Sequence, residues 1–275
     1  MKTIGIIAGN GRFPFLAAGK ALKEGYKVVV CGIEKEADPS LETIASAFQW
    51  VKIGQLKKMK SFFQDQGVSE AIMAGKIEKI RLFQENVSPD FDMMKVIMKV
   101  RDFKDDSLLG AIAAYLSEAG IILQDSTLFS KDDMPPAGVL GKKKPSEEMM
   151  EDIRFGFNMA KSIAGLDIGQ TVIVKKKAVL AVEAIEGTDE AIRRGSALGR
   201  EGIIVVKVSK PGQDMRFDVP AVGLRTMEEL ITAKAKAFAF EASMTLFLEK
   251  EKVVEAADRH GIVLIGINGE NLNGT

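Results

Sequence analysis

Thr3–Ala8 (TIGIIA), Lys27–Ile33 (KVVVCGI) and Glu70–Gly75 (EAIMAG) are short runs in which apolar residues fill both alternating faces. A strand of that kind has to bury both faces. A parallel sheet covered by helices does this, whereas a one-sided antiparallel sheet does not. Helical spacing fills the intervals. Phe13, Leu16, Ala17 and Ala21 recur on one side after the first run, Leu56–Gln66 reads as a helix, and Asp92–Val100 and Asp106–Ala119 read as two more. Gln49–Ile53 and Ile121–Leu123 add short strands. The first part of the chain, residues 1–130, is therefore expected to be an α/β domain with a parallel sheet.

Composition changes at Lys131–Pro145 (KDDMPPAGVLGKKKP), where three prolines, two glycines and a lysine triplet fall together. That stretch, residues 131–145, reads as a linker. Ser146 followed by Glu147 and Glu148 then signals a helix start. Strand-like runs at Thr171–Val174, Ala178–Ile185, Ile203–Val208 and Ile262–Ile267 alternate with helices expected near Asp189–Gly199 and Met227–Phe240. Lys175-Lys176-Lys177 reads as a hairpin connection. Residues 146–275 are expected to form a mixed α/β domain.

The 38 Lys and Arg are balanced by 38 Asp and Glu, so no basic field exists to hold nucleic acid. The single cysteine, Cys31, excludes an intramolecular disulfide and any multi-thiolate metal site. The single histidine, His260, has no serine in a nucleophile turn beside it and reads as a surface or helix-end residue. Chemistry must run on carboxylates, lysines, hydroxyls or a bound cofactor. No apolar run approaches the roughly 18 residues of a spanning helix, and Gly9–Arg12 interrupts the one signal-like stretch, Met1–Ala21. A cytoplasmic location is expected.

Three segments carry candidate chemistry. Gly9-Asn10-Gly11 follows the first strand and opens a helix, where backbone N–H groups can receive a phosphate. Pro14 replaces the third glycine of a dinucleotide fingerprint, although Glu34 ends the second strand where a ribose-binding acid would stand. In Lys207–Pro220 (KVSKPGQDMRFDVP), an extended backbone would put Asp214, Arg216 and Asp218 on one face. Two carboxylates with an arginine between them suit a magnesium ion and a phosphate, and equally a surface ion cluster. In Ala178–Asp189 (AVLAVEAIEGTD), Glu183 lies in an apolar run where an ionised group must be paired or metal-bound. Thr188 or Asp189 is positioned to cap the next helix.

Taken together, LDIGQ (Leu166–Gln170), VLAVEAIEGTD (Val179–Asp189), KPGQDMRFDVPAVG (Lys210–Gly223), EAS (Glu241–Ser243) and IIAGNGRFP (Ile6–Pro14) resemble the LpxI family. These are the magnesium-dependent UDP-2,3-diacylglucosamine pyrophosphatases of lipid A biosynthesis. GKIEKI (Gly75–Ile80) departs from the family pattern, lacking the arginine and proline expected after Lys76. The resemblance implies a Rossmann-like first domain, a C-terminal α/β domain and a homodimer. It implies hydrolysis of UDP-2,3-diacylglucosamine to UMP and 2,3-diacylglucosamine 1-phosphate by water attack at the α-phosphorus, with Mg2+ as cofactor. Membrane contact would be peripheral, at the inner membrane face and through the lipid substrate. The family's essential aspartate lies in the D-x-R-x-D string, so Asp214 and Asp218 are both nominated. With Glu183 they form the expected catalytic and metal set. Gly9, Asn10, Gly11, Gln170, Thr188, Asp189, Lys207, Lys210, Gln213 and Arg216 are the expected substrate contacts.

Two other classes compete. An NAD-dependent oxidoreductase would use the Gly9–Gly11 turn with Glu34, and a non-catalytic nucleotide-binding protein would treat the acids as ion pairs.

Overall fold

A computed structural model describes residues 2–77, 89–100 and 105–269; part of the Gly75–Ile80 string, residues 78–80, lies outside them. The chain divides into two compact units, Met1–Ser130 with Asp214–Asp218, and Lys131–Gln213 with Val219–Thr275.

The first unit holds a five-stranded sheet, β1 (Thr3–Ala8), β2 (Lys27–Ile33), β3 (Ala47–Val51), β4 (Glu70–Ala74) and β5 (Ile122–Leu123). Every pairing is parallel and the order is β3-β2-β1-β4-β5. This is the Rossmann-like arrangement, with helices α1 (Phe13–Lys23), α2 (Leu56–Asp65), α3 (Phe91–Lys99) and α4 (Asp105–Glu118) between strands. The core strands are buried on both faces, as the continuous apolar runs require. The third strand lies two residues earlier than expected, because Ala47 and Phe48 pair with Val29 and Val30.

The strand order reverses between β1 and β4, where a parallel sheet opens its crevice. Here that crevice is laced shut by backbone. Gly9 N donates to Ala74 O, Asn10 N to Lys76 O, and Lys76 N to Asn10 O, at 2.7–2.9 Å. A Cβ on Gly9 would meet Lys76 O at 2.6 Å, and one on Gly75 would meet Asn10 O at 2.6 Å. Both glycines are there because the two loops touch.

The second unit holds a six-stranded mixed sheet in the order β6-β13-β11-β9-β7-β8. Its strands are β6 (Gly138–Leu140), β7 (Thr171–Lys175), β8 (Ala178–Val182), β9 (Ile204–Lys207), β11 (Ala237–Glu241) and β13 (Val263–Ile267). A parallel pair of two-residue strands, β10 (Ala221–Val222) and β12 (Leu246–Phe247), lies apart. The helices are α5 (Glu147–Gly165), α6 (Thr188–Gly199), α7 (Leu224–Thr232) and α8 (Lys250–His260).

Alternation along the strands sorts the core into two layers. Val172, Val174, Val206, Ala237, Ala239 and Ile265 pack with Ile153, Phe157, Ala160 and Ala164 of α5. Ile173, Val205, Phe238, Phe240 and Leu264 pack with Ile192 of α6, Leu230 of α7 and Val253 of α8. Phe240 meets Phe247 edge-on at 4.7 Å between centroids.

Three expectations change. The helix read over Met227–Phe240 ends at Thr232, and Ala237–Glu241 is instead a central strand. Its AFAFE alternation puts alanines under α5 and phenylalanines on the other face, a period-2 demand that overrides the helical propensity of alanine. The helix Lys250–His260 was not foreseen. Third, residues 131–145 are not a free linker, since Gly138–Leu140 pairs antiparallel with β13. Lys142 N donates to Asp258 Oδ1 at 2.7 Å, and Ser243 N to Pro135 O at 2.8 Å. The prolines and glycines mark an edge strand and its turns.

The lysine hairpin forms as expected, with Lys176 and Lys177 both at positive φ (50° and 56°) between β7 and β8. Lysine does not favour that geometry. Asp152 of α5, only 7% exposed, holds it by accepting from Lys176 N at 2.8 Å and Lys177 N at 2.7 Å. Asp152→Ala should lower unfolding free energy by about 2–3 kcal/mol, because it deletes two charge-assisted acceptors. Urea titration at neutral pH checks this, with Asp152→Asn expected to fall between the two.

Candidate functional site

Antiparallel pairing of β7 with β9 sets Thr171 opposite Lys207. β8 stops at Val182, so Glu183 follows the strand end directly and its N–H donates to Thr171 O at 2.8 Å. A side chain on Gly169 would occupy the space of the Glu183 carbonyl, so only glycine admits this approach. Lys207 Nζ donates to Thr188 Oγ1 at 2.9 Å and reaches Thr171 Oγ1 at 3.4 Å. Thr188 Oγ1 in turn donates to Glu183 Oε1 at 2.8 Å. Lys207 Nζ stands 3.8 Å from Glu183 Oε2, with the two side chains 8% and 13% exposed. Glu183 Oε2 is buried and meets no hydrogen-bond donor among the described residues.

Burial alone would push the Glu183 carboxyl up. The Lys207 charge, the Thr171 and Thr188 hydroxyls and the Gln170 backbone outweigh it and hold the carboxyl below its ordinary value. Thr188 was expected as a possible helix cap along with Asp189. The cap is Gly187 at φ 87°, because the Thr188 hydroxyl is drawn to Glu183 and Asp189 pairs with Arg225 at 2.8 Å.

A second cluster lies one strand over. β11 runs parallel to β9 with Phe240 beside Lys207, so Glu241 emerges at the same end of the strands. Lys161 Nζ donates to both Glu241 carboxylate oxygens at 3.0 Å, and Ser209 gives its N–H and hydroxyl to Oε2, each at 2.7 Å. Lys210, just beyond, pairs with Asp167, and its N–H donates to Gln213 Oε1 at 3.0 Å. Sequence reading gave no role to Thr171, Lys161, Ser209 or Glu241. The available signal was the acid that ends the AFAF run, as Glu183 follows VLAV.

The D-x-R-x-D string departs from the extended form that would align its charged side chains. Phe217 N and Asp218 N both point back to Asp214 O, closing a turn over Met215–Phe217. Asp214 is clasped by Arg216, whose Nε lies 2.9 Å from Oδ1 and Nη2 2.7 Å from Oδ2. The guanidinium holds the Asp214 carboxyl below its usual range. The segment is fixed to the first unit, where Ser126 N donates to Met215 O and Ser126 Oγ to Arg216 O, both at 2.9 Å, and Phe217 joins the core.

Glu183 belongs to the second unit and pairs with Lys207, while Asp214 and Asp218 belong to the first. Among the described residues no three Asp, Glu, His or Cys side chains gather in a metal-binding group. Neither unit by itself brings three of the nominated carboxylates together.

The Gly9–Gly11 turn is also less open than expected, since the Gly9 and Asn10 amides are spent on β4 and its loop. Pro14 near the start of α1 removes one further N–H. Cys31 is buried and its thiol is pushed up to about 12, so it stays unreactive. His260 ends α8 at the surface.

The fold and these strand-end clusters define a two-unit α/β protein with two adjacent lysine–glutamate pairs at the strand ends of its second sheet. Residues 3–132 match the LpxI N-terminal domain and residues 136–265 the LpxI C-terminal domain. The chain belongs to the LpxI family. It is 31% identical, over 98% of each chain, to a Caulobacter vibrioides protein named UDP-2,3-diacylglucosamine pyrophosphatase LpxI. Solved structures resemble it more distantly. An N5-carboxyaminoimidazole ribonucleotide synthetase in complex with ADP gives 18% identity and a TM-score of 0.29, over 70% of this chain and 34% of that one. The protein gox2253 gives 11% and 0.34, over 99% and 73%. The chain spans about a third of the former, and neither likeness carries an argument about function.

The Glu183–Lys207 pair gives a signed pH test. A carboxyl held below its ordinary value stabilises the fold above that value, and the contribution is lost as pH falls through the folded pKa. Lys207→Met removes the cation and leaves burial in control, which raises the Glu183 carboxyl. The variant should lose about 3–5 kcal/mol at neutral pH, and its deficit against the parent should shrink as the solution is acidified. Urea unfolding across pH 4 to 7 reads this out; a deficit independent of pH would refute it.

Proposed function

We propose that this protein hydrolyses the pyrophosphate bond of UDP-2,3-diacylglucosamine to UMP and 2,3-diacylglucosamine 1-phosphate in lipid A biosynthesis. The observation that carries the proposal is the likeness, over nearly the whole chain, to the Caulobacter vibrioides protein of that name. In the reaction a water oxygen bonds to the α-phosphorus while that phosphorus loses its bond to the bridging oxygen. The bridging oxygen keeps the electron pair and leaves on the sugar phosphate, and the attacking water gives up a proton.

The strand-end cluster supports a role in this chemistry. Glu183 Oε2, buried and without a donor among the described residues, is the atom proposed to take the water proton or orient the water. Lys207 and Lys210, with Arg216, would offset phosphate charge as it develops. Thr188, Asp189, Gln170 and Gln213 are proposed substrate contacts, and Gly9, Asn10 and Gly11 would meet the nucleotide mainly through the Gly11 backbone and the Asn10 side chain, given the spent amides. Asp214 and Asp218 are retained as the proposed essential acids.

Magnesium is the proposed cofactor. An ion that arrives with pyrophosphate oxygens needs only one or two protein carboxylates, and Asp214 and Asp218 are the ones nominated. Such an ion would neutralise phosphate oxygens. The proposal also takes the enzyme to be a cytoplasmic homodimer that meets the inner membrane face peripherally.

Hydrolysis in oxygen-18 water, with and without EDTA, tests the reading. Label is expected in UMP, and chelation is expected to stop turnover. Asp214→Ala and Asp218→Ala should abolish turnover while the chain stays folded, and Glu183→Gln should lower kcat by about 100-fold or more. Full activity in both aspartate variants would sink those two assignments. Label in the sugar phosphate would move the attack to the other phosphorus.

A further inference from the structure

Helix α3 is apolar on two sides. Met93 and Val96 are buried against Leu56 of α2, yet Phe91 is 68% exposed, Met94 49% and Met98 77%. At 3.6 residues per turn these three fall within about 60° of one another, on the side away from the buried pair. A soluble helix normally turns charged residues outward there, so three large apolar side chains along one line need a partner.

The charges beside the stripe indicate which partner. Lys95 and Lys99 follow on the same exposed side, 53% and 72% open. Lys95 Nζ lies 4.3 Å from the centroid of the Phe91 ring. The acid within the helix, Asp92, is withdrawn to 14% exposure, where Lys60 Nζ meets it at 3.1 Å and the Tyr115 hydroxyl donates to it. Among the described residues their ion pairs are loose, with Lys95 4.0 Å from Asp92 and Lys99 3.9 Å from the exposed Glu118. Surface pairs at such distances are worth little and are easily exchanged. An outward face of phenylalanine, methionine and lysine, with its acid turned inward, has the character of an interfacial helix. Its apolar residues enter the acyl boundary and its lysines meet lipid phosphates.

We infer that the Phe91–Lys99 helix docks on an anionic lipid bilayer, with Phe91, Met94 and Met98 inserted and Lys95 and Lys99 at the headgroups. The inference stands on the helix itself and agrees with the lipid substrate of the proposed reaction. No helix among the described residues is long and apolar enough to cross a membrane, so this contact would be peripheral.

Co-sedimentation of the full chain with phosphatidylethanolamine–phosphatidylglycerol vesicles, against phosphatidylcholine vesicles, is the test. The parent should bind the anionic vesicles, and less so as salt rises. Met94→Ser with Met98→Ser should weaken binding at least about tenfold without changing Tm, since both side chains are already exposed. Lys95→Glu with Lys99→Glu should remove the preference for anionic lipid. A parent that does not sediment with vesicles, or a methionine variant that binds as the parent does, overturns the inference. So does a parent dimer that the methionine variant converts to monomer with vesicle binding unaltered, since the stripe then joins two copies of the chain. Hydrolysis of detergent-dispersed substrate separates the two readings. The variants should keep kcat there, and a parent that binds vesicles but cleaves nothing would uphold the docking and remove the proposed reaction.

Discussion

Ala237–Glu241 has to satisfy three demands at once, and the second unit is arranged around it. Paired on both edges by β9 and β13, it has no edge to present to solvent. Ala237 and Ala239 leave room for α5 to lie close, and Phe238 and Phe240 fill the thicker layer against the helices of the other face. Each fully buried phenylalanine contributes on the order of 2–3 kcal/mol, so the register of this strand is strongly fixed. A slip of one residue would exchange the small and large layers. That register also fixes where Glu241 emerges, and the neighbouring strands fix where Lys207 and Thr171 emerge beside it.

The polar chemistry of this unit follows from strand ends. Lys207 is nearly inaccessible, and a lone buried ammonium is unfavourable. It is stable here because Thr188, Thr171 and Glu183 surround it. Glu241 is held in the same manner by Lys161 and Ser209. Lys207 and Glu241, on the adjacent strands β9 and β11, thus carry charges held in place by compensating partners. A surface array of the same residues would be screened by water and salt.

The segment Asp214–Asp218 obeys a different constraint. Its chain neighbours belong to the second unit, but its turn packs with the first, where Ser126 and the Phe217 ring secure it. The Asp214–Arg216 clasp is local to that turn. It follows from the one-residue spacing of the two side chains once Asp214 O accepts from the N–H groups of Phe217 and Asp218. An alternating strand would have kept these charges on one face without the bidentate contact.

Much of this was legible in the residues. Apolar runs filled on both faces specify a parallel sheet, because only helices on both sides can bury them, and TIGIIA, KVVVCGI and EAIMAG form it nearly as bounded. The lysine hairpin and the Ser146 helix start are equally local, since each depends on a few adjacent residues. Glu183 could be singled out because an acid in an apolar run must find a partner. Its partner could not be named, for Lys207 is 24 positions away in sequence and reaches it through strand pairing. For the same reason local spacing assigns no role to Glu241 or Lys161, leaves the Gly9 and Asn10 amides open, and reads the AFAF strand as part of a helix. Which segments must be buried, and on how many faces, is written in the residues, because side-chain hydrophobicity and period are local quantities. Which charges meet is settled by the folded chain, because register and strand order bring together groups that no local spacing relates.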